Sequence, residues 1–480
     1  MKKEFEKKQL VKKSEDFSRW YTDVILKAGL AEYAPIRGCQ ILKPYGFAIW
    51  ENIQDCLDKK IKKMGVKNVY FPIFIPESFL KKEKEHVKGF SPELTVVTIG
   101  GGKKLKEKLV VRPTSETIIC KTFAKWVKSW RDLPVLVNQW CNIVRWEKRP
   151  RLLLRTTEFL WQEGHTLHET HKEALKQVKD ALNTYIEVYR DLLGIDGISG
   201  EKSEGEKFPG AEKTFSYEML MPDGKALQGA TSHDLGQNFT KVFNIKFKNR
   251  KGEEEMPWQT SWGLSTRSVG ALVMVHGDDA GLIIPPKVAP IQVIIIPILK
   301  KNGNGKALRQ KAEQIKKILR NFRVEIDMRE EYSPGWKFNE WELKGVPLRI
   351  EIGEKEIKNK KITFVRRDNR KKELIPFNCL KKETEEVLGA IQKSLFQKSR
   401  KYLKSNIAEV SKYKDFKEIM KTKKGLLKVF WCGDPKCEAR IKRETKATIR
   451  CLSNDTSNKK GKCICCGRES SKKWIFGQAY

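Results

Sequence analysis

Apolar positions along the chain switch between two periods, and the switches outline the architecture. From Phe47 to Lys63 they return every three to four residues, which predicts an amphipathic helix. Gly65 and a short β-rich run from Val69 to Phe74, interrupted at Pro72, come next. Val135 to Trp146 and Leu152 to Trp161 are rich in Val, Leu and aromatic residues and predict two antiparallel strands, joined by the basic loop from Glu147 to Arg151. Glu169 to Leu193 predicts a helix. Lys213 to Met221, Ala226 to Leu227 and Asn238 to Phe247 predict strands, and Gly263 to His276 opens as strand and continues as helix. Strands flanked by helices in this order predict an α+β domain around an antiparallel sheet.

The pattern changes after Pro285 and Pro286. Ile291 to Ile298 is a continuous apolar run, as in a strand buried on both faces. Helix from Lys306 to Asn321, strand from Val324 to Met328, helix from Gly335 to Lys344 and strand from Leu348 to Ile352 follow. The alternation predicts a compact α/β unit with a largely parallel sheet, ending near Phe377. A charged helix from Lys381 to Lys404 leads to a cysteine-rich tail. Three domains are expected, over residues 1–286, 287–380 and 381–480.

Composition narrows the class. The 480 residues are 39% hydrophobic and 32% charged, which suits a globular chain. No apolar stretch approaches the roughly 18 residues that span a bilayer, so no membrane role is expected. Residues 1–17 are charged throughout, read as a solvated amphipathic helix, and lack the apolar segment of a secretory signal, so the expected compartment is cytoplasmic. A formal net charge of +36 makes polyanions attractive partners, although a lysine-rich surface alone would also produce it.

No Gly-rich loop followed by Lys-Ser or Lys-Thr is present, which excludes the common P-loop. The alternative for binding phosphates is a set of arginines: Arg145 at the end of one strand, Arg155 on its neighbour and Arg267 at a strand-to-helix junction. Guanidinium groups clamp phosphate oxygens bidentately and stack on flat rings. The bland reading pairs each with a local acid such as Glu147 or Glu158. His165, His168 and His171 are spaced three apart, which reads as a pocket residue followed by helix-start residues more readily than as a metal site. Asp278 and Asp279 are adjacent, so their side chains diverge and suit a loop or cap role.

Of eleven cysteines, six crowd between Cys432 and Cys466. An odd total without a secretory signal argues for reduced thiols and a metal. Cys432 and Cys437 bracket a tight-turn sequence, and Cys463 and Cys466 form a second pair before Gly467 and Arg468. Two such pairs suit tetrahedral, structural Zn2+. Cys465 competes for the place of Cys466.

Three segments then acquire a joint meaning. Gly65 to Pro72, Arg145-Trp-Glu running to Arg155-Thr-Thr-Glu-Phe, and Gly263-Leu-Ser-Thr-Arg267 occur in the order of the three class II aminoacyl-tRNA synthetase motifs. More closely, the chain resembles the prolyl-tRNA synthetases of archaeal and eukaryotic type nearly end to end. The residues that carry this are RPTSET (112–117), TEFLWQEGHT (157–166), QGATSHDLGQNF (228–239), SWGLSTR (261–267), HGDDAGLIIPP (276–286) and the terminal Tyr480. The resemblance implies a class II catalytic domain, an α/β anticodon-binding domain from Ile291 to Phe377 and a small zinc-binding α+β C-terminal domain. It implies activation of L-proline with ATP and Mg2+, transfer to tRNA(Pro), and a homodimer with the segment from Phe47 to Phe74 at the interface.

By the same resemblance Thr114 and Glu116 take the proline amino group, with Arg145 over the acyl-phosphate. Trp161, Glu163 and His165 wall the proline pocket, with His233, Gly263 and Ser265 also on the proline side. Arg145, Glu147, Arg155 and Thr156 hold ATP, while Gln228, Thr231 and Arg267 close over adenosine and phosphate. Arg145 and Arg267 are the catalytic pair. In the second domain Arg349, Lys355, Arg366 and Arg367 would face the anticodon stem, with Glu351 or Glu354 near guanine edges. The loop from Lys148 to Leu154 is about one residue shorter than the family pattern, and Asp234 stands where eukaryotic members often carry a histidine. The span between His165 and Gln228 is too short for the editing domain that bacterial-type enzymes insert there. A threonyl synthetase or a catalytically silent paralogue are the competing readings.

Overall fold

The computed structural model describes residues 10–86, 94–298, 305–453 and 460–480. Its largest sheet has seven strands: β1 (Lys67–Asn68), β2 (Val135–Val144), β3 (Glu158–His168), β4 (Ile198–Glu201), β5 (Lys213–Leu220), β6 (Ala226–Gly236) and β7 (Trp258–Ser265). They lie in the order β1-β2-β3-β7-β6-β5-β4, antiparallel except for β1 against β2.

Four helices accompany this sheet: α1 (Phe17–Lys27), α2 (Pro44–Lys63), α3 (Glu116–Trp126) and α4 (His171–Glu187). Helix α4 starts at a capping box in which Thr170 and Glu173 satisfy each other's backbone groups. Its Ala174, Val178, Ala181 and Tyr185 recur at helical spacing and are buried against the sheet. A further helix, α5 (Arg267–His276), leaves the end of β7 directly and is buried along nearly its whole length.

Strand alternation sorts the sheet residues between α4 and the opposite face. On β3 Gln162 accepts a bond from the Tyr185 hydroxyl at 2.6 Å, while Trp161, Glu163 and His165 line a cavity. On β6 Ser232 donates to the carbonyl of Val178 at 2.8 Å, while Thr231 and His233 line the same cavity. On β7 Trp262 packs near Tyr185, and Ser261, Gly263 and Ser265 face the cavity.

A second sheet is built from β8 (Val293–Pro297), β9 (Val324–Ile326), β10 (Leu348–Ile352), β11 (Lys361–Arg366) and β12 (Lys372–Pro376), ordered β9-β8-β10-β11-β12. Strands β9, β8 and β10 are parallel, but β11 and β12 are antiparallel, so the sheet is mixed rather than largely parallel. The parallel pairs are joined through α6 (Gly305–Ile318) and α7 (Pro334–Leu343), whereas β11 and β12 are joined by a turn with Arg370 at φ 60°. Helix α8 (Leu380–Ser405) packs Val387, Ile391 and Leu395 into this second core and reaches the first and third units with Leu403.

The third sheet has β13 (Ile407–Glu409), β14 (Leu426–Phe430), β15 (Ala447–Leu452) and β16 (Lys473–Gln478), ordered β13-β14-β16-β15, with α9 (Pro435–Thr445) packed beside β15. The first two units are tied by Arg367, 5% exposed, whose Nη1 and Nη2 donate to Asp278 at 2.9 and 2.5 Å. Among the described residues no helix is long and apolar enough to cross a membrane.

Several expectations shift. The expected helix over residues 1–17 falls partly on 1–9, outside the described residues, and helix begins only at Phe17, where the Asp16 side chain accepts from the Arg19 amide. The β-rich run from Val69 to Phe74 keeps only Phe74 in a strand, because Arg112 draws the Phe71 carbonyl into its own hydrogen bonds. The run from Leu152 to Trp161 is not one strand: β3 starts at Glu158, and Leu152 to Leu154 form a buried turn. Leu153 adopts φ 60° there, a strained left-handed conformation for leucine, held by its amide on Gln40 and by the Tyr21 hydroxyl on Leu152. Asn238 to Val242 is a short helix, not a strand, and the strand instead extends through the polar run up to Gly236.

Gly164 leaves room for the Trp262 ring of the neighbouring strand β7, since an added Cβ would sit 2.2 Å from it. We expect Gly164→Ala to destabilise the protein by about 1–3 kcal/mol by overpacking, read as a lower urea midpoint with an unchanged m-value.

Candidate functional site

The open face of the seven-stranded sheet holds a cavity of about 510 Å³. Thr114, Glu116, Arg145, Trp161, Glu163 and His165 line it from one side. Gln228, Thr231, His233, Gly263, Ser265 and Arg267 line it from the other. A second hollow of about 140 Å³ adjoins it, sharing Arg145, Phe159, Ser265 and Arg267, and adds Glu147, Arg155 and Thr156. Every residue that the resemblance assigns to proline or ATP therefore lines one of two joined hollows.

The inner wall is organised by Glu163. One carboxylate oxygen accepts from Ser115 Oγ at 2.5 Å and Gln139 Nε2 at 2.8 Å, with the Cys141 thiol at 3.3 Å. The other faces His165 Nε2 at 3.0 Å. Burial pushes the Glu163 carboxyl up, but the bonds from His165, Ser115 and Gln139 outweigh it and hold the group below its ordinary range. For His165 burial acts downward and Glu163 upward, and Glu163 prevails. Both residues are at most 3% exposed, so the pair is buried, and it is ionic wherever His165 is protonated. His165 Nδ1 and Ser261 Oγ are buried and without a hydrogen-bond partner among the described residues, and both residues line the cavity.

Glu116 opens α3, and Thr114 Oγ1 donates to its carboxylate. The preceding Arg112, fully buried, donates to the carbonyls of Phe71 and Asn142 and to the Asn142 side chain, which sets the turn that delivers both residues. His233 is held neutral, lowered to about 3 by burial and then by the charges of His165 and Lys202; its Nδ1 meets Thr214 Oγ1 at 3.0 Å.

The arginines divide. Arg145 donates from Nε to the Pro113 carbonyl at 2.9 Å and lies 5.7 and 5.6 Å from the centres of the Phe159 and Trp161 rings. Arg267 donates to the carbonyls of Leu154 and Gln228. The hydrogen bonds that hold both in place end on carbonyl oxygens, not carboxylates. Arg155 does pair, at 3.6 Å from Glu147, and stands in the turn before β3 rather than on the strand. The bland reading thus holds for one arginine of three.

His165, His168 and His171 do not converge: His168 meets Thr166, and His171 pairs with Asp234 at 2.8 Å while stacking on Trp258. Asp278 takes Arg367 and Asp279 takes the Lys13 amide. In the second unit Arg366 is bound to Asp368 and Arg349 to Glu351, so with Arg367 three of the four basic residues expected to face RNA have protein partners. Phe159, Lys202 and Phe208 line the main cavity without having been singled out. Their type is common, and only the fold brings them there.

In the tail the Sγ atoms of Cys432, Cys437, Cys463 and Cys466 lie within 4.8 Å of one another. Cys432 is 3.8 Å from Cys437 and 3.7 Å from Cys466. Four sulfurs at about 2.3 Å from a tetrahedral ion would be about 3.8 Å apart, so this donor set fits zinc. Cys466, not Cys465, completes the group, and the turn that carries it is closed by the Gly467 amide on the Cys463 carbonyl at 2.9 Å. Cys451 is buried in a separate core.

Comparison with known proteins decides the lineage. Residues 97–276 match the tRNA synthetase class II core domain (G, H, P, S and T), 292–386 an anticodon binding domain, and 413–480 the prolyl-tRNA synthetase C-terminal domain. The chain is 50% identical over 477 residues to a protein named proline--tRNA ligase 2 from Clostridioides difficile, covering 98% of each. The chain belongs to the prolyl-tRNA synthetase family. A proline--tRNA ligase of Alkaliphilus oremlandii is 49% identical, with 97% of this chain and 96% of that one covered. Among solved structures, prolyl-tRNA synthetase from Cryptosporidium parvum, complexed with halofuginone and AMPPNP, superposes with a TM-score of 0.95 at 44% identity, covering 98% of this chain and 100% of that one. The class II core, the mixed second unit and the cysteine-bearing third unit are the family's architecture.

The Glu163–His165 pair carries a pH signature. Glu163 is depressed from 4.5 and His165 raised from 6.5, so the pair's ionic contribution to stability is complete between those two values. It fades as pH falls through the depressed Glu163 value and as pH rises through the raised His165 value. The difference in melting temperature between wild type and Glu163→Gln is therefore expected to be largest near pH 5–6 and to narrow on both sides, as scanning calorimetry would show.

Proposed function

We propose that this protein activates L-proline with ATP and transfers the prolyl group to the 3′ end of tRNA(Pro). The observation that carries the reading is that Glu116, Arg145 and Arg267 line one cavity on one sheet. A carboxylate and a hydroxyl suit the secondary ammonium of proline, and Glu116 and Thr114 supply them. Trp161, Glu163, His165, His233, Gly263 and Ser265 enclose the ring and carboxylate. Arg145, Glu147, Arg155 and Thr156 hold the triphosphate, with Gln228, Thr231 and Arg267 around adenosine and the α-phosphate. The proline carboxylate is the nucleophile, so no protein base is needed. It attacks the α-phosphorus in line, pyrophosphate leaves, and the tRNA hydroxyl then displaces AMP from the acyl carbon. Arg145 and Arg267 act by stabilising charge that develops on the phosphate oxygens.

Class II synthetases use ATP with Mg2+. Glu147 is the carboxylate lining the outer hollow and would hold the ion beside the phosphates, where it would neutralise charge. Zn2+ held by the four cysteines would be structural, joining α9 to the β14 end and the tail. We read the chain as three domains, residues 1–286, 287–380 and 381–480, with the second taking the anticodon stem. The segment between His165 and Gln228 is filled by α4, β4 and β5 and their connections, which supports the absence of an editing domain there. Exposed Phe47, Tyr70 and Phe74 favour the homodimer interface along that segment. The four clustered cysteine thiols favour a cytoplasmic location, where thiols stay reduced.

Pyrophosphate exchange into ATP across a panel of amino acids tests the function. Proline alone should support it; exchange with threonine, or with none, would sink the reading. Arg145→Ala should lower kcat/KM by roughly 10²–10³-fold with little change in unfolding temperature. Metal analysis should find one zinc per chain in the wild type and a loss of it in Cys463→Ser, together with a lower melting temperature.

A further inference from the structure

The wall of the cavity that carries His233 is not built by the catalytic sheet alone. Lys202, in the connection after β4, lines it and donates from Nζ to Glu218 Oε1 at 2.8 Å. Ser216 Oγ donates to the same oxygen, also at 2.8 Å. The other oxygen, Oε2, accepts Nε and Nη2 of Arg450 at 3.0 and 2.8 Å. Arg450 comes from β15 of the third unit, 232 residues further along the chain. Its remaining Nη1 donates to Thr448 at 2.9 Å. The side chains of Lys202, Glu218 and Arg450 are 2%, 0% and 6% exposed. Both donor and acceptor strands are irregular here: the register shifts between Ile449 and Cys451, leaving Arg450 without a cross-strand partner, and again between Tyr217 and Glu218. Bulges of this kind re-aim side chains.

The charges do not cancel. Two cations share one carboxylate, so Lys202, Glu218 and Arg450 together carry one positive charge in excess. Glu206, which lines the same cavity and acts on Arg450, has its own partner in Lys442 at 3.8 Å, and Lys207 has Glu204 at 2.7 Å. A Lys202–Glu218 pair alone would be neutral. Burial acts to raise Glu218, and Arg450, then Lys202, hold it ionised below its ordinary range. Neighbouring His233 is neutral and Lys207 is paired with Glu204, so the positive field on that side comes from Lys202 and Arg450.

We propose that Arg450 is a positioning residue for amino-acid activation: by occupying one oxygen of Glu218 it fixes Lys202 and leaves the cavity wall a positive field that receives the carboxylate of the amino acid. The third unit thereby sets how tightly the catalytic cavity holds its amino-acid substrate. This rests on proline occupying the cavity as proposed above.

The test uses the full chain with proline and ATP varied in turn in pyrophosphate exchange, alongside zinc content and thermal unfolding. Arg450→Met is expected to raise KM for proline about tenfold while KM for ATP stays within about twofold, and Arg450→Lys, which keeps the charge, is expected to recover most of the difference. Lys202→Met, which acts at the cavity end and leaves the third unit intact, is expected to show the same selective rise. An unmoved proline KM in either methionine variant, proportional change of both KM values, or failure of Arg450→Lys to outperform Arg450→Met would overturn it. Should Arg450→Met not fold, Lys202→Met and Arg450→Lys decide alone. A wild type inactive with proline would overturn the functional reading and this inference with it; a proline-active wild type with an unmoved Lys202→Met would overturn this one only.

Discussion

The site depends on cations that the protein holds in place without neutralising them. Arg145 and Arg267 are fixed by main-chain carbonyls and, for Arg145, by two aromatic rings. A carbonyl orients a guanidinium without cancelling its charge, so the cavity keeps an affinity for anions until one arrives. An acid in contact with either arginine would be a more comfortable arrangement for the free protein and a worse one for binding phosphate. The open face of the sheet makes the compromise tolerable, because water can reach the unpaired groups while the cavity is empty.

Holding those cations requires a rigid floor, and Glu163 is at its centre. Its carboxylate collects Ser115 from the turn before α3, Gln139 and Cys141 from β2, and His165 from its own strand. Four contacts on one buried carboxylate tie three chain segments to a common point. The same logic recurs at Glu218, which joins the catalytic sheet to the third unit through Arg450. A buried carboxylate is expensive to desolvate and is worth little as net stability, but it has few alternative arrangements once its partners are in place. The two carboxylates set geometry more than they add stability.

Two further contacts make the three units one object. Arg367 grips Asp278 across the first boundary, and α8 runs from the second core to a small cluster with Leu220, Ala226 and Leu426. Tyr480 at the end of the chain returns to the catalytic unit, its ring 5.3 Å from Arg151 and 5.0 Å from Lys225. Arg151 belongs to the basic loop beside the outer hollow, so the tail reaches the edge of that hollow.

What could be read from the chain by itself was whatever depends on local order. Helix α2 and the strands β2, β8 and β10 follow from apolar periodicity, since each has a face or a whole surface that must be buried. The motif strings around Glu116, Arg145, His165 and Arg267 picked out residues that the fold gathers around one cavity. Tertiary structure decided the rest. The length of β6 was hidden because Thr231, His233 and Asp234 are polar yet are covered by the cavity wall and by His171. The turn at Leu152 to Leu154 reads as strand because three leucines in a row say only that the segment is buried, not how. Lys202 and Arg450 were illegible for the simplest reason: a charged residue in a chain with 96 Lys and Arg looks like surface until a distant carboxylate is found to be buried against it.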